Sequence, residues 1–189
     1  MRLLQKIKRL GKKGNTNLIV AGSALFISAC ALLISVQEMR IMRTQQKATM
    51  YPYLTMGMLY NGEGFGFVLK NSGNGLAKIN SYKVANDSIH FRDWFDVLQT
   101  VMPEAQNIDY NIINTAGNIR KQMITPGEEV NLIFLKWTPE TRILEKRIQD
   151  LKIEICYASL LEEHWKIEGG VPIAQEKSCD IEVEKEFGF

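Results

Sequence analysis

Residue types that support catalysis are scarce in this chain. Its 189 residues include two histidines, His90 and His164, and three cysteines. Catalysis requires a nucleophile, a base or a metal ion held by several convergent groups. The sequence has no GxSxG, HExxH, P-loop or CxxC pattern, and a lone histidine is usually a surface or hydrogen-bonded residue. We therefore expect no catalytic residue and interpret the chain as a protein other than an enzyme.

The cysteines and His164 carry atoms that could bind a metal ion. Seven residues separate Cys156 from His164 and fourteen separate His164 from Cys179, and neither interval matches a pair of zinc ligands. A disulfide between Cys156 and Cys179 is one alternative, since Cys156 shares a strand face with the charged Lys152 and Glu154 and an oxidising compartment permits pairing. Two independent reduced cysteines are the other. We expect no metal site and no cofactor.

Two more patterns are typical of ligand sites but favour structural interpretations. The glycines of residues 61–66 (NGEGFG) have the spacing of a phosphate-binding loop, but no amphipathic helix follows, so we predict a hairpin. The acids Glu162 and Glu163, and those of residues 180–184 (DIEVE), could bind calcium. Because the later acids alternate with Ile181 and Val183, we interpret them as the solvated face of a half-exposed strand.

An uninterrupted apolar stretch lies near the N-terminus. Residues 18–36 (LIVAGSALFISACALLISV) hold no charge and as a helix reach about 28 Å, which matches one bilayer crossing. Residues 1–17 carry six basic and no acidic side chains. The positive-inside rule therefore predicts a cytoplasmic tail at residues 1–17, a span in the inner membrane and a periplasmic remainder. The helix should continue through the juxtamembrane residues 37–50 and stop near Pro52.

Two processing routes compete with a retained anchor. A cleaved signal peptide has the same order of basic and apolar residues, although its apolar core is usually shorter. Residues 27–30 (ISAC) resemble the lipobox of bacterial lipoproteins, in which the cysteine, here Cys30, is acylated. Six more uncharged residues follow Cys30, whereas a lipoprotein normally turns polar at that point. A permanent anchor is therefore the favoured interpretation.

Small residues within the span form a candidate helix interface. Spacings of three and four residues place five of them on one stripe: Ala21, Ala24, Ser28, Ala31 and Ser35. Small side chains let membrane helices approach closely. The stripe predicts association with a second copy or with a partner's membrane helix, although other small residues in the span mean that composition alone could produce it.

The exported part, residues 51–189, has the length of one domain with a single core. Apolar and alternating runs predict strands at residues 53–60, 66–70, 76–84, 129–137, 151–158 and 164–167. Residues 91–102 predict a helix that ends at Pro103, with Trp94 and Phe95 on its apolar face, and Thr138 caps a second helix that runs to about residue 150. Short strands separated by turns indicate a mainly β, two-sheet fold with one or two inserted helices.

Two turn motifs carry a resemblance to a known group of proteins. Residues 71–79 (NSGNGLAKI) and 125–129 (TPGEE) are similar to the N-x-G-x-G-x-A turn and P-G-E strand start of immunoglobulin-like domains in bacterial envelope proteins. With its basic-flanked anchor, the whole chain resembles uncharacterised single-pass inner-membrane proteins of Gram-negative bacteria such as Bacteroidetes. The resemblance implies an inner-membrane location and an immunoglobulin-like β-sandwich, and it supplies no catalytic residues.

The distribution of charge and chemistry favours a binding role. The basic cluster precedes the apolar stretch and the folded part is mildly acidic, so nucleic acid is not an expected partner. We expect a non-catalytic interaction or accessory module that contacts the lipid bilayer and binds another membrane or periplasmic protein, or itself. A small-ligand sensor or solute-binding module, which requires an apolar pocket, is the alternative.

Overall fold

The computed structural model describes residues 2–103 and 113–188, and residues 2–15 by their backbone alone. The chain divides into two compact units, Met1–Ala48 and Thr49–Phe189.

The first unit is built from helix α1, which spans Arg2–Thr49. Its section Thr16–Thr49 is long and apolar enough to cross a membrane, and none of its most apolar window is buried within the protein. The predicted continuation of the helix beyond residue 36 is confirmed. The helix ends close to Pro52, as expected, because proline disfavours a helical conformation in the residue before it.

The second unit contains two antiparallel sheets. The four-stranded sheet has the order β1, β2, β7, β5, formed by Leu54–Tyr60, Gly64–Asn71, Glu129–Lys136 and Ile113–Asn114. The six-stranded sheet has the order β10, β9, β8, β3, β4, formed by Val171–Gln175, His164–Glu168, Lys152–Ala158, Ala77–Asn86 and Ile89–His90. Its sixth strand, β6 (Met123–Ile124), pairs with the start of β3. The predicted arrangement of two sheets in this unit is confirmed, and with the long helix α1 the whole chain is mixed α and β.

One hydrophobic core is shared by both sheets. Leu54 and Phe65 enter it from the four-stranded sheet, and Ile79 and Ile155 enter it from the six-stranded sheet, with all four side chains fully buried. Burial of apolar surface at about 25 cal/mol per Å² is the main favourable contribution to folding. The two sheets are therefore held together by their apolar faces, as the alternating strands predict.

Two short helices close this unit. Helix α2 spans Trp94–Val101, and the side chain of Asp93 caps it by accepting a hydrogen bond from the backbone N–H of Asp96. Helix α3 spans Pro139–Ile148 and begins with a capping box at Thr138. Trp94 is buried as predicted, but one predicted detail is wrong: Phe95 does not face the core and is 47% exposed, because the buried stripe of the helix consists of Trp94, Val97 and Leu98.

The face of β3 that enters the core changes along the strand. Ala77 and Ile79 belong to the core in the first half, whereas Tyr82 and Val84 belong to it in the second half. Strict alternation from Ala77 would have placed Ser81 and Lys83 there instead. Two residues of β3 cover one residue of β8 around Asn80, where the register shifts. Such a β-bulge exchanges the inward and outward positions of the residues that follow.

The glycine-rich residues 61–66 form the hairpin between β1 and β2, as predicted. A Cβ atom at Gly64 would lie 2.1 Å from the carbonyl oxygen of Leu135, and one at Gly66 would lie 2.0 Å from that of Ile133. The glycines therefore permit close packing of β2 on β7 and form no phosphate loop.

The acid-rich residues 180–184 do not form the predicted strand. They are exposed, and the short 3-10 turn Val183–Lys185 overlaps them. No described strand pairs with them, so Ile181 and Val183 gain no covered face and remain 46% and 60% exposed. The solvated character of the acids was predicted, but the strand was not correct.

Candidate functional site

The two turn motifs that carry the sequence resemblance meet at Asn71. The backbone N–H of Asn71 donates to the carbonyl of Glu128, and the Asn71 carbonyl accepts from the N–H of Gly127. The fully buried Asn71 amide donates to the carbonyls of Gly75 and Ile124, at 2.8 and 3.0 Å. Each motif therefore has a structural role, because a buried amide must have its hydrogen-bonding groups satisfied.

The same turn holds the residues that lead into β1. The N–H groups of Asn74 and Gly75 both donate to the carbonyl of Tyr51, and the N–H of Ser72 donates to the carbonyl of Tyr53. A Cβ atom on Gly75 would lie 1.9 Å from the carbonyl oxygen of Met50. The close approach of two backbone segments explains why glycine is required there.

Cys156 and Cys179 form a disulfide, with 5.9 Å between their Cα atoms. Neither sulfur is then a thiolate that could bind a metal ion with His164. Among the residues that the structure describes, no group of three or more His, Cys, Asp or Glu side chains could hold one. His90 is exposed and lines a polar cavity of about 490 Å³ beside the disulfide, whereas His164 lies half-buried on β9.

A segment that we call the C-terminal strap, residues 176–188, follows β10. It is attached first by the disulfide at Cys179 and then by Lys83, whose ammonium group donates to the carbonyl of Asp180 and pairs with Glu182 at 3.5 Å. Sequence analysis found the cysteine and the acids here but not the strap, because its contacts join residues about 100 positions apart.

The last part of the strap lies against the outer edge of β3. The buried carboxylate of Glu186 accepts from the Ser81 hydroxyl at 2.7 Å and from the Tyr82 N–H at 3.0 Å, and Arg120 lies 3.6 Å away. The N–H of Phe187 donates to the Tyr82 carbonyl at 2.7 Å. These contacts hold the strap against β3, and Arg120 provides the opposite charge for the buried carboxylate.

Phe187 inserts an aromatic ring into the core. It is 1% exposed, and its centroid lies 4.9 Å from the ring of Tyr82 and 5.1 Å from the ring of Trp94. Aromatic pairs at these separations add to the free energy gained by burial alone. No periodic pattern surrounds Phe187 in the sequence, so this core residue was missed.

An apolar cavity of about 360 Å³ lies beside the end of the strap. Its walls come mainly from α2, β5 and the strap, and include Trp94, Phe95, Leu98, Ile113 and Phe187. The indole Nε1 of Trp94 is buried and has no hydrogen-bond partner in the described part of the chain. The exposed position of Phe95, which the sequence did not predict, places its ring on this cavity wall.

The shifted pKa values have local structural causes. Burial raises the pKa of the Tyr82 and Tyr157 hydroxyls above the usual range of a phenol. A hydrogen bond with Glu154, 2.7 Å from the Lys166 ammonium group, raises the pKa of Lys166. Hydrogen bonds from Thr125 lower the pKa of Glu128. These shifts reflect burial and pairing and do not identify an acid and base that act together.

The predicted interface stripe lies on α1. Its five residues are uncovered within the first unit: Ala21, Ala24, Ser28, Ala31 and Ser35. The Ser28 hydroxyl donates to the carbonyl of Ala24 at 2.8 Å, so it is already satisfied within its own helix. The structure places the stripe as expected, and its use as an interface stays a prediction.

The model of one protein family matches residues 17–182 of the chain, and that family is described as a domain of unknown function (DUF8453). The chain belongs to this family. The DUF8453 region includes most of α1, both cysteines of the disulfide and the Ser81, Tyr82 and Arg120 contacts, whereas Glu186 and Phe187 lie beyond the match. No curated protein and no solved structure matches the chain.

Proposed function

We propose that this DUF8453 protein is a membrane-anchored, non-catalytic binding module. Helix α1 is the anchor, with the N-terminus in the cytoplasm, and the second unit binds another protein of the cell envelope. The observation that carries the binding role is strand β10, which lies at one end of the six-stranded sheet and has the uncharged sequence VPIAQ. Strand β1 contacts the start of β10, where the Met56 N–H donates to the carbonyl of Gly170. Val171 and Ile173 on this strand are 54% and 50% exposed.

An exposed edge strand is a template for pairing with another chain, and charged residues and proline are among the features that protect such an edge. Strand β10 carries no charge, and Pro172 removes one backbone donor, because proline has no N–H. A partner strand would therefore pair with β10 and contact Val171 and Ile173, which is recognition by strand addition.

A comparison of two lysine variants tests the proposal. The full chain is purified in mild detergent from its own host and the co-purifying proteins are identified by mass spectrometry. Ile173→Lys should abolish co-purification of the partner. Ile143→Lys on α3, at a side chain that is 55% exposed, should leave co-purification unchanged. Equal recovery with both variants would contradict binding at β10.

The periplasmic location is part of the same proposal. The disulfide supports it, because disulfides persist in oxidising compartments such as the periplasm. Alkaline phosphatase fused after Phe189 should be active, and a cytoplasmic fluorescent reporter at the same position should be dark. The reverse result would contradict the topology.

The meeting of both turn motifs at Asn71 supports an immunoglobulin-like fold for the second unit.

A small-ligand module is the second candidate function, and the apolar cavity beside α2 favours it. An apolar ligand should raise the melting temperature of the full chain, and Leu98→Trp, which fills the cavity, should remove that increase. If the Leu98→Trp variant responds as the parent does, the ligand binds elsewhere.

A further inference from the structure

The outer edge of β3 has a gap that the strap fills. Strand β6 and the two residues before it pair with β3 from Ala77 to Ile79, and β4 with the residue after it pairs with β3 from Val84 to Asn86. Between them, both backbone groups of Tyr82 face outward and are bonded by the strap, the N–H to Glu186 and the carbonyl to Phe187. The gap therefore exposes a short stretch of sheet edge whenever the strap is absent, and such an edge pairs readily with an extended segment.

The surroundings of the gap recognise particular side chains. The Ser81 hydroxyl and Arg120 meet a carboxylate that is 0% exposed, and a charge-assisted hydrogen bond is stronger than a neutral one. The next position requires an aromatic ring between Tyr82 and Trp94. An acid followed directly by an aromatic residue therefore fits this site. We call the site the β3 groove, and its lining residues are Ser81, Tyr82, Trp94 and Arg120.

The third position favours glycine. Gly188 has a φ of +92°, and a Cβ atom there would lie 2.5 Å from the side chain of Asn118. Its N–H donates to the carbonyl of Arg92, and its carbonyl accepts from the Asn118 amide. The β3 groove therefore recognises three consecutive residues, Glu186 to Gly188, by backbone hydrogen bonds, charge and shape.

The strap does not fill the space available to a ligand. The apolar cavity of about 360 Å³ lies directly beside Phe187 and Gly188, so a segment with a larger apolar side chain could bury more surface. Residues 180–184 are exposed, and they connect the occupied groove to Cys179 while Lys83 contacts Asp180 and Glu182. The groove is therefore occupied by a short motif, residues 186–188, that a connecting segment joins to the disulfide.

We propose that the β3 groove is a peptide-binding site for a partner segment with the pattern acid, aromatic, glycine, and that the strap occupies it in competition with that partner. The proposal rests on the binding function proposed above but uses a different edge of the same sheet. The disulfide favours the strap, because a short tether gives its occupant a high effective concentration.

Release of the strap from an already folded chain provides the test. A protease site is inserted between Lys177 and Ser178 of the full chain in detergent, the chain is cut, and dithiothreitol reduces the disulfide, so that the strap is held without a covalent bond. A fluorescein-labelled peptide with the sequence of residues 180–189 is then added, and its binding is followed by fluorescence anisotropy. Far-ultraviolet circular dichroism records whether the domain stays folded.

We expect the peptide to bind the cut, reduced chain at least about tenfold more tightly than the uncut, oxidised chain. Peptides with Glu186→Gln or Phe187→Ala should bind at least about tenfold more weakly than the parent peptide, whereas Glu184→Gln, at an exposed acid, should bind as the parent does. The proposal is overturned if a folded, cut chain does not bind, if the Phe187→Ala peptide binds equally well, or if the domain unfolds when the strap leaves. Ile173→Lys in the cut chain should leave peptide binding unchanged, so failure of the groove and failure of the β10 proposal give different results.

Discussion

The two halves of the C-terminal strap are held in opposite ways. Its first half, from Cys179 to Lys185, is attached to the sheet by a disulfide and by the ion pair between Lys83 and Glu182, while most of its side chains stay in solvent. Its second half has no covalent tie, but Glu186 and Phe187 are almost completely buried. Attachment and burial are therefore separated along a single segment of the chain.

This difference shows how few residues can anchor a segment. Exposed ion pairs contribute little to folding stability because water and salt screen them. Removal of a buried ring or of a buried, paired carboxylate lowers that stability much more. We therefore expect substitutions to have large effects in the second half and negligible effects at the charged residues of the first. The predictions below test that contrast.

The largest effect is expected at Phe187. Phe187→Ala should lower the free energy of unfolding by about 3 to 5 kcal/mol, because it leaves a cavity between Tyr82 and Trp94. Urea unfolding followed by tryptophan fluorescence measures the change. Phe95→Ala is the matched control, since that ring is 47% exposed, and an equal loss in both variants would contradict the structure.

Loss of the disulfide should come next. Cys156→Ser combined with Cys179→Ser should reduce stability by about 3 kcal/mol, since the bond closes a loop with a sequence separation of 23. The measurement is urea unfolding without reductant. Alkylation provides an independent check, because both cysteines should resist labelling in the denatured, unreduced parent. Labelling of both would show that no disulfide forms.

Glu186→Gln should lower the free energy of unfolding by about 1 to 3 kcal/mol. The variant keeps the shape of the side chain but removes the charge that Arg120 and the Ser81 hydroxyl meet. Thermal unfolding at neutral pH tests this. A loss as small as that of the exposed Glu184→Gln would place the Glu186 carboxylate in solvent.

Tyr82→Phe should leave stability unchanged or raise it by about 1 kcal/mol, because the buried Tyr82 hydroxyl has no hydrogen-bond partner among the described residues. Tyr157→Phe is the contrasting variant and should lose about 1 kcal/mol, since the Tyr157 hydroxyl accepts from the Leu54 N–H at 3.3 Å. Chemical denaturation of both variants gives the comparison.

The pH dependence of the parent supplies a further check. Burial raises the pKa of Tyr82 above that of the unfolded chain, so its contribution is complete below about pH 10 and is lost as the pH rises further. Tyr82→Phe should therefore weaken the loss of stability in alkali.

The smallest effect is expected in the first half of the strap. Pairing with Lys185 lowers the pKa of Glu182, so the pair is fully charged at neutral pH and is lost only as the pH falls through the range of that carboxyl. Because both groups are exposed to water, Glu182→Gln should not measurably change the unfolding midpoint. A clear decrease in the unfolding midpoint would show that the ion pairs of the first half also stabilise the fold.

Local patterns were sufficient to predict the long elements. The alternation of residues 151–158 and the Thr138 cap identified β8 and α3, because each of these signals is contained in a few consecutive residues. The bulge at Asn80 was not predictable, since an extra residue in a strand becomes visible only against its partner β8. Strands β4, β5 and β6 have two residues each, too few to show a period.

The candidate site depends on contacts that no local pattern contains. Glu186 stands in an acidic run that reads as solvated surface, yet it is buried because Ser81 and Arg120, distant in the sequence, converge on it. Sequence analysis identified Cys156 and Cys179 as one possible pair because they are the two cysteines beyond the span. The position of the strap on β3 required the fold.

The turn at residues 71–75 determines how mechanical force reaches the domain. A pull on α1 is transmitted through Met50 and Tyr51, which the turn holds by two hydrogen bonds to the Tyr51 carbonyl and a third to that of Tyr53. These bonds must break before β1 can peel away from β2. The buried Asn71 amide joins the same turn to β6 through Ile124, so the load is shared with the six-stranded sheet. The start of the second unit is therefore attached to both sheets at one turn.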